Sequence, residues 1–516
     1  LEDLNRAYHL LRLIDSGNAP LIEATEAWMA QEGSQMVSAM PMEEKEDPKK
    51  FSEVLVAVHR RAMTVLRTAF SDDPLFGASL ERSCRKVFNQ NQRIPELLAR
   101  YCDLMLRRQA GGELSSTTTS TSTTASMMAI TPAGGITAEG QMDDRLSELL
   151  AMFRYIEEKD VFQKFYSKLL ARRLITGTST SEYLENFMIT GLKGVCGFEY
   201  VNKLTRMFTD MSLSSELNDG FRDWAETKAS KPKFEFTMHV LTSGYWPLQN
   251  LTIIGAFHPP SDVEQAMALF GEFYGSKHSG RKLQWLHHLS KADLKSTSGT
   301  MKRVFEFQMN GFQAGVLLMF NNKKQQQPFL TAAEAEEQTG LSILEAEKTL
   351  KSLVDAKILI EERGGDPAPT PPSLPPPSSS SSSGGVGGTN SSGSQKRFMI
   401  NNSYANKKLK VRVAPGSSGG SGAVAGGGNI GDATESSEAY KGVEEDRKLF
   451  LQAAIVRVMK SRKELKHVQL VQEVIAQAAG RFVPSVGSIK RCVESLIEKD
   501  FLKRVDGQSD KYSYIA

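Results

Sequence analysis

The sequence predicts a mainly α chain with an α+β C-terminal part, and three observations carry that prediction. Apolar residues recur at helical spacing through the first 230 or so residues, the period drops to two in three short stretches between Phe234 and Met309, and residues 441–516 follow a helix-helix-helix-strand-strand order.

In chain order, Leu4, Tyr8 and Leu11 share one helical face, Phe51, Val54, Leu55 and Val58 a second, and 94–106 a third, which predicts a helical array over 1–110. From 141 to about 228 the pattern stays helical. Leu146, Leu149, Leu150 and Phe153 lead into Phe162, Phe165, Leu169 and Leu170, and further helices are expected at 183–195 and 198–210, so 141–230 reads as a helix bundle. Phe234, Phe236, Met238 and Val240 then alternate with polar residues, as do Leu283, Trp285, His287 and Leu289, and Phe305, Phe307 and Met309. This predicts an α/β sheet region over 231–310. Helices at 312–320, 331–339 and 342–356 and a strand at 358–362 follow. A return strand at 397–400 or 409–413 would complete a winged-helix-like unit over 311–413.

The last segment predicts a second unit of that plan. Leu451, Ala454, Ile455, Val458 and Leu465 fall on one arc of a helix opening near Asp446, and Lys460 points about 180° from the centre of that arc, toward solvent. A second helix is expected near 467–478 and a third from Pro484 to Lys499, with Pro484 in its first turn. Strands at 501–505 and 511–515 are joined by the turn 506–510.

Low-complexity tracts separate these parts: 115–126 (Thr/Ser), 364–394 (Pro/Ser/Gly) and 414–431 (Gly). Such segments bury too little apolar surface to offset the entropy of ordering, so linkers are expected at 111–140 and 414–440 and an insert at 364–395.

At 516 residues the chain is long enough for three or four domains. Its 63 basic and 60 acidic residues leave a net charge of only +3, and no run of about 18 apolar residues offers a membrane span. Within 441–516, however, 15 basic residues face 10 acidic ones. A winged helix with that balance raises a DNA-binding regulator as an alternative. Cys84, Cys102, Cys196 and Cys492 are scattered without a C-x-x-C pair, which argues against zinc and fits a cytoplasmic or nuclear, reducing compartment. The chain opens in amphipathic helix without an initiator methionine or signal peptide, as a fragment would.

Autonomous catalysis has little to stand on. Cys196 lies between helices with no nearby His or Asp to activate it, His287 and His288 would point to opposite faces of a strand, and Glu157 and Glu158 read as solvated helix charge. No nucleotide-binding glycine loop is present, so no catalytic residue, cofactor or metal is expected.

A resemblance covers nearly all of the chain outside the low-complexity tracts. Pro95-Glu-Leu-Leu-Ala-Arg-Tyr-Cys-Asp103, Lys159-Asp-Val-Phe-Gln-Lys-Phe-Tyr166, Leu170-Ala-Arg-Arg-Leu174, Cys196-Gly-Phe-Glu-Tyr200, Ser243-Gly-Tyr-Trp-Pro247, Lys277-His-Ser-Gly-Arg-Lys-Leu283 and Ala454-Ile-Val-Arg-Val-Met-Lys-Ser-Arg-Lys463 occur in one order. Together they resemble the C-terminal two-thirds of a cullin, the scaffold of cullin-RING ubiquitin ligases. The ending at 505–516 and the stretch 160–166 look most like the cullin-1 class, while Phe320-Asn-Asn322 and Thr242-Ser-Gly-Tyr-Trp246 are similar to the cullin-3 class.

The resemblance implies that 1–110 is the last helical repeat of a stalk, and that an adaptor and substrate receptor bind through a missing N-terminal region. It implies that a RING-box protein adds a strand in the 234–309 sheet region and brings a ubiquitin-conjugating enzyme. It further implies that Lys460 accepts a ubiquitin-like modifier from its own conjugating enzyme through an isopeptide bond (neddylation), with Lys463 the less suitable neighbour, and no membrane or nucleic-acid partner. Arg457, Arg462 and Lys463 would disfavour added positive charge near that amine and steer an acidic partner. A module tethered by the glycines of 416–431 would move as a body on modification.

Overall fold

The computed structural model describes residues 1–14, 16–107, 138–228, 231–248, 257–297, 303–322, 329–363, 396–414, 430–505 and 508–515. The expected tracts at 115–126 and 364–394 lie outside them, as does most of 414–431. Tertiary contacts gather the chain into two units. One comprises Leu1–Ser215, His239–Pro247 and Gly426–Ala516, the other Glu216–Met238 and Leu248–Ala425.

The first unit opens with α1 (Glu2–Leu11), α2 (Ala19–Ser38), α3 (Met42–Lys45), α4 (Pro48–Phe70), α5 (Pro74–Phe88) and α6 (Ile94–Leu106). Two of these helices start at Asp-Pro. Asp47 accepts from the Lys49 and Lys50 amides and Asp73 from that of Leu75, while the prolines fill positions whose N–H would have no helical partner. Tyr8, Phe70 and Phe76 close the helical core of α1, α4 and α5, with the two phenylalanine rings stacked at 3.8 Å.

The bundle follows as α7 (Ala138–Tyr155), α8 (Lys159–Thr176), α9 (Glu182–Cys196) and α10 (Phe198–Thr227). Helix α7 thus begins inside the expected 111–140 linker. A buried charge cluster rivets α6, α8 and α9. Arg173, wholly buried, donates from Nε to Glu185 at 2.7 Å, from Nη2 to the same carboxylate at 2.9 Å and from Nη1 to Asp103 at 2.5 Å. Removing one member would strand the others without water, a loss of about 3–5 kcal/mol for such pairs. Helix α10 runs 30 residues, well past the expected end at Asp210. Polar residues interrupt its apolar stripe there, yet Asp210 and Ser214 are buried because they bind backbone of another segment.

The second unit contains α11 (Ser261–Lys277), β1 (Lys291–Lys295), β2 (Glu306–Asn310), α12 (Gly311–Leu318), β3 (Phe329–Leu330), α13 (Ala332–Thr339), α14 (Ile343–Asp355), β4 (Leu359–Arg363), β5 (Lys396–Ile400) and β6 (Lys410–Arg412). Its sheets are ordered β1-β2-β6 and β3-β5-β4. Of the two candidate return strands, β5 is the one that pairs with β4, antiparallel, whereas β6 pairs parallel with β2 in the other sheet. Of the three period-two stretches, only 305–309 forms a strand. The stretch 283–289 forms no strand and ends in a 3-10 turn at His287–Leu289, and 234–240 has no β-partner among the described residues.

The first unit is completed by α15 (Ile430–Arg462), β7 (Glu464–Lys466), α16 (His467–Ala478), α17 (Val486–Glu498), β8 (Leu502–Val505) and β9 (Gln508–Tyr514), with strand order β7-β9-β8. Three expectations change. Helix α15 starts at Ile430, inside the 414–440 linker, because Ser436 and Tyr440 anchor it on the buried Glu96 of α6 at 2.9 and 3.2 Å. Helix α17 is capped by Ser485, which leaves Pro484 just outside the helix. Leu465 belongs to β7, since Lys463 has already turned the chain at φ 67°.

Candidate modification site and partner edge

Leu451, Ala454, Ile455 and Val458 are buried in the core of the C-terminal module, so the opposite face of α15 is turned outward and Lys460 is exposed on it. Its ammonium makes no ion pair with any described residue. The neighbouring cations are held. Arg457 donates to Gln477 at 3.1 Å, and Arg462 pairs with Glu473 at 3.2 Å. Lys463 ends the helix in the left-handed region and lays its ammonium over the Tyr514 ring at 5.4 Å from the centroid. Of the two lysines, Lys460 alone combines a regular helical backbone with an unengaged amine, the geometry an isopeptide acceptor needs once an enzyme removes its proton.

Farther up α15, Arg447 makes a two-point ion pair with Asp160 at the start of α8, at 2.5 and 2.7 Å, and reaches Glu158 at 3.4 Å. Burial opposes its charge, but the carboxylates outweigh that and hold Arg447 above its ordinary range. The turn after α16 adds to this grip. The Arg481 carbonyl accepts from the Asp160 amide at 3.2 Å, its guanidinium pairs with Glu199 at 2.8 Å, and Phe482 packs edge-on against Phe450. Helix α15, which carries Lys460, is therefore held on the bundle by its own side chains, and of the tether expected at 416–431 only 430 and 431 are among the described residues, where they open this helix.

Glu158 is thus an ion-pair partner at the N-cap of α8, while Glu157 is exposed in the turn before it; neither lies within a helix. Cys196 closes α9, and burial pushes its thiol up to about 11, the wrong direction for a nucleophile at neutral pH. His287 and His288 sit together in the 3-10 turn rather than on strand faces, each held below the usual histidine value by burial.

The period-two stretch before this turn has its own explanation. Leu283, Trp285 and His287 line one wall of a cavity of about 500 Å³ whose other wall includes Met267 and Tyr274 of α11. Alternation here reflects a face packed on a helix. The strand-like backbone at 238–242 is likewise held by side chains of α10 instead of by another strand.

Comparison with known proteins separates the same regions. Residues 1–218 match the cullin alpha solenoid domain, 240–371 the cullin alpha+beta domain, and 446–508 the cullin protein neddylation domain. Cullin-1 of Dictyostelium discoideum is 38% identical over the whole chain, cullin-1 of Schizosaccharomyces pombe 35%, and cullin-3A of Arabidopsis thaliana 29%. The chain belongs to the cullin family. The higher identities support the cullin-1 class. This cullin chain spans about 60% of the length of the two cullin-1 relatives.

Within this cullin, Lys460 falls in the stretch that matches the neddylation domain. Sequence reasoning missed Arg447 and Arg481, which dock that stretch on the bundle. Their only signal was a positive charge, which does not name a partner more than 280 residues away in the chain.

Proposed function

We propose that this chain is part of a scaffold subunit of a multi-subunit cullin-RING ubiquitin ligase. It binds a RING-box protein, holds the ubiquitin-charged conjugating enzyme near receptor-bound substrate, and is activated by neddylation of Lys460. It contributes proximity and no catalytic group of its own, which raises the effective concentration of the reacting amine at the thioester. The observation that carries this reading is the exposed, unpaired Lys460 within the segment matching the neddylation domain.

The RING-box protein adds a strand in the 234–309 region. Support comes from the period-two stretch 234–240, which has no β-partner among the described residues, and from β1, which among those residues forms a ladder with β2 alone. Strand addition would fix register through backbone hydrogen bonds along such an edge. The DNA-binding alternative is weaker, because α17 carries Glu494 and Glu498 beside Lys490 and Arg491, and Arg504 is neutralised by Glu494 at 2.5 Å. Four free thiols fit a cytoplasmic and nuclear location, which fractionation of the native cell checks.

Mass spectrometry of the protein from its native cell tests the function. A ubiquitin-like adduct on Lys460, lost in Lys460→Arg with stability unchanged to within about 0.5 kcal/mol, is the expected result. An adduct that persists in that variant, or resides on Lys463, removes the assignment.

A further inference from the structure

The extended backbone after Met238 is organised by a helix. Asp210 accepts from the Thr242 amide at 2.7 Å and from the Thr242 hydroxyl and Trp246 Nε1 at 2.8 Å each. One helical turn later, the Ser214 hydroxyl accepts from the Val240 amide at 2.8 Å, while its own proton goes to the Asp210 carbonyl of the helix at 2.6 Å. Another turn on, the Asn218 amide accepts from the Met238 N–H and donates to the Met238 carbonyl, both at 2.7 Å. The first two rungs lie in the first unit and the third in the second.

Two periodicities are being matched. Four residues of α-helix rise about 6.0 Å, and two residues of strand span about 6.6 Å. Side chains at every fourth position of α10 can therefore address every second residue of an antiparallel extended chain. The mismatch of about 0.6 Å per rung limits such a ladder to a few rungs. Asn218 both accepts from an amide and donates to a carbonyl, as a neighbouring strand would, while Asp210 and Ser214 act as acceptors for the amides. In extended backbone the N–H and C=O of one residue share an edge and those of the next residue take the other. With 238, 240 and 242 committed to α10, the backbone groups of Thr237 and Leu241 face away from it.

We infer that Asp210, Ser214 and Asn218 are positioning residues, a surrogate strand edge that fixes the register in which the 237–241 backbone meets the strand of the RING-box protein. The inference rests on the strand-addition reading above. By holding the even-numbered residues, the ladder decides which amides are presented and removes the one-residue slip that would turn every side chain to the wrong face.

The test uses the full chain with purified RING-box protein, measuring affinity and amide-resolved hydrogen exchange. In the unaltered chain the amides of 238, 240 and 242 are protected before the partner is added, and the partner adds protection at Thr237 and Leu241. Ser214→Ala weakens binding about tenfold and blurs that odd-numbered pattern, while Ser214→Thr, which keeps the hydroxyl, restores both. Unchanged affinity and pattern in Ser214→Ala, or partner protection on the even-numbered amides, overturns the inference alone. An unaltered chain that fails to bind the RING-box protein overturns the strand-addition reading and this inference with it.

Discussion

The two winged-helix units of this chain repeat one another, and the comparison isolates what makes a lysine a candidate acceptor. Phe312-Gln-Ala-Gly-Val-Leu-Leu-Met-Phe-Asn321 on and after α12 aligns with Leu451-Gln-Ala-Ala-Ile-Val-Arg-Val-Met-Lys460 on α15. Gln313 donates to Ser352 at 2.8 Å and Gln452 to Ser495 at 3.2 Å, so the first helix grips the third identically in both. Ser342 and Ser485 cap the third helices, and Lys357 and Asp500 turn the chain out of them at φ 61° and 59°. The strand orders, β3-β5-β4 and β7-β9-β8, are equivalent.

Within that shared frame, α12 has eight residues and buries Ala314, whereas α15 has 33 and exposes the matching Ala453 along with Arg457. Asn321 stands where Lys460 stands, and both are exposed. The plan supplies an outward-facing position in each unit; residue type and surroundings decide whether it is a site. This also weakens any inference from winged-helix shape to DNA, since neither copy needs that use.

The largest expected effect is on the shared core. Ile455→Ala removes a wholly buried side chain and should cost about 2–5 kcal/mol, read in denaturant unfolding as early loss of the C-terminal module. If the α12 unit loses the same stability, the two copies do not unfold separately and the comparison breaks.

A smaller effect follows from pH. His287 and His288, the former packed on the Phe257 ring beside α12, have folded-state values lowered from 6.5 by burial. The unfolded chain then binds more protons, so this contribution is complete above about pH 6.5 and is lost as the pH falls below it. Hydrogen exchange should show the α12 unit opening first on acidification, and His287→Gln should flatten the trend.

The smallest effect is a null. Asn321→Lys places an exposed amine at the equivalent position, yet modification should stay on Lys460, because Leu318 occupies the Arg457 position and basic residues, Lys323 and Lys324, follow residue 321 on one side only. An adduct at 321 seen by mass spectrometry would mean that exposure alone suffices.

Much of this was legible in the sequence. Helical periodicity located α4 and α14 because each buries one stripe, and the exposure of Lys460 followed from the arc opposite Leu451 and Ile455. Period two was a poorer guide. At 305–309 it marked a strand, at 283–287 a face packed on α11, and at 238–242 a chain held by α10. Alternation reports one buried face and is silent about what pairs with the backbone edges.

The sequence by itself determined the apolar stripes of several helices and the outward face of α15, since these depend on neighbours a few residues apart. The engagement of Lys460 was another matter. Glu464 lies four residues beyond it, the spacing of a helical ion pair. The left-handed turn at Lys463 ends the helix first, and Glu464 instead meets Lys511 across the sheet at 2.7 Å. Only the tertiary structure decided that, because the competing cation arrives from a strand 47 residues farther along the chain.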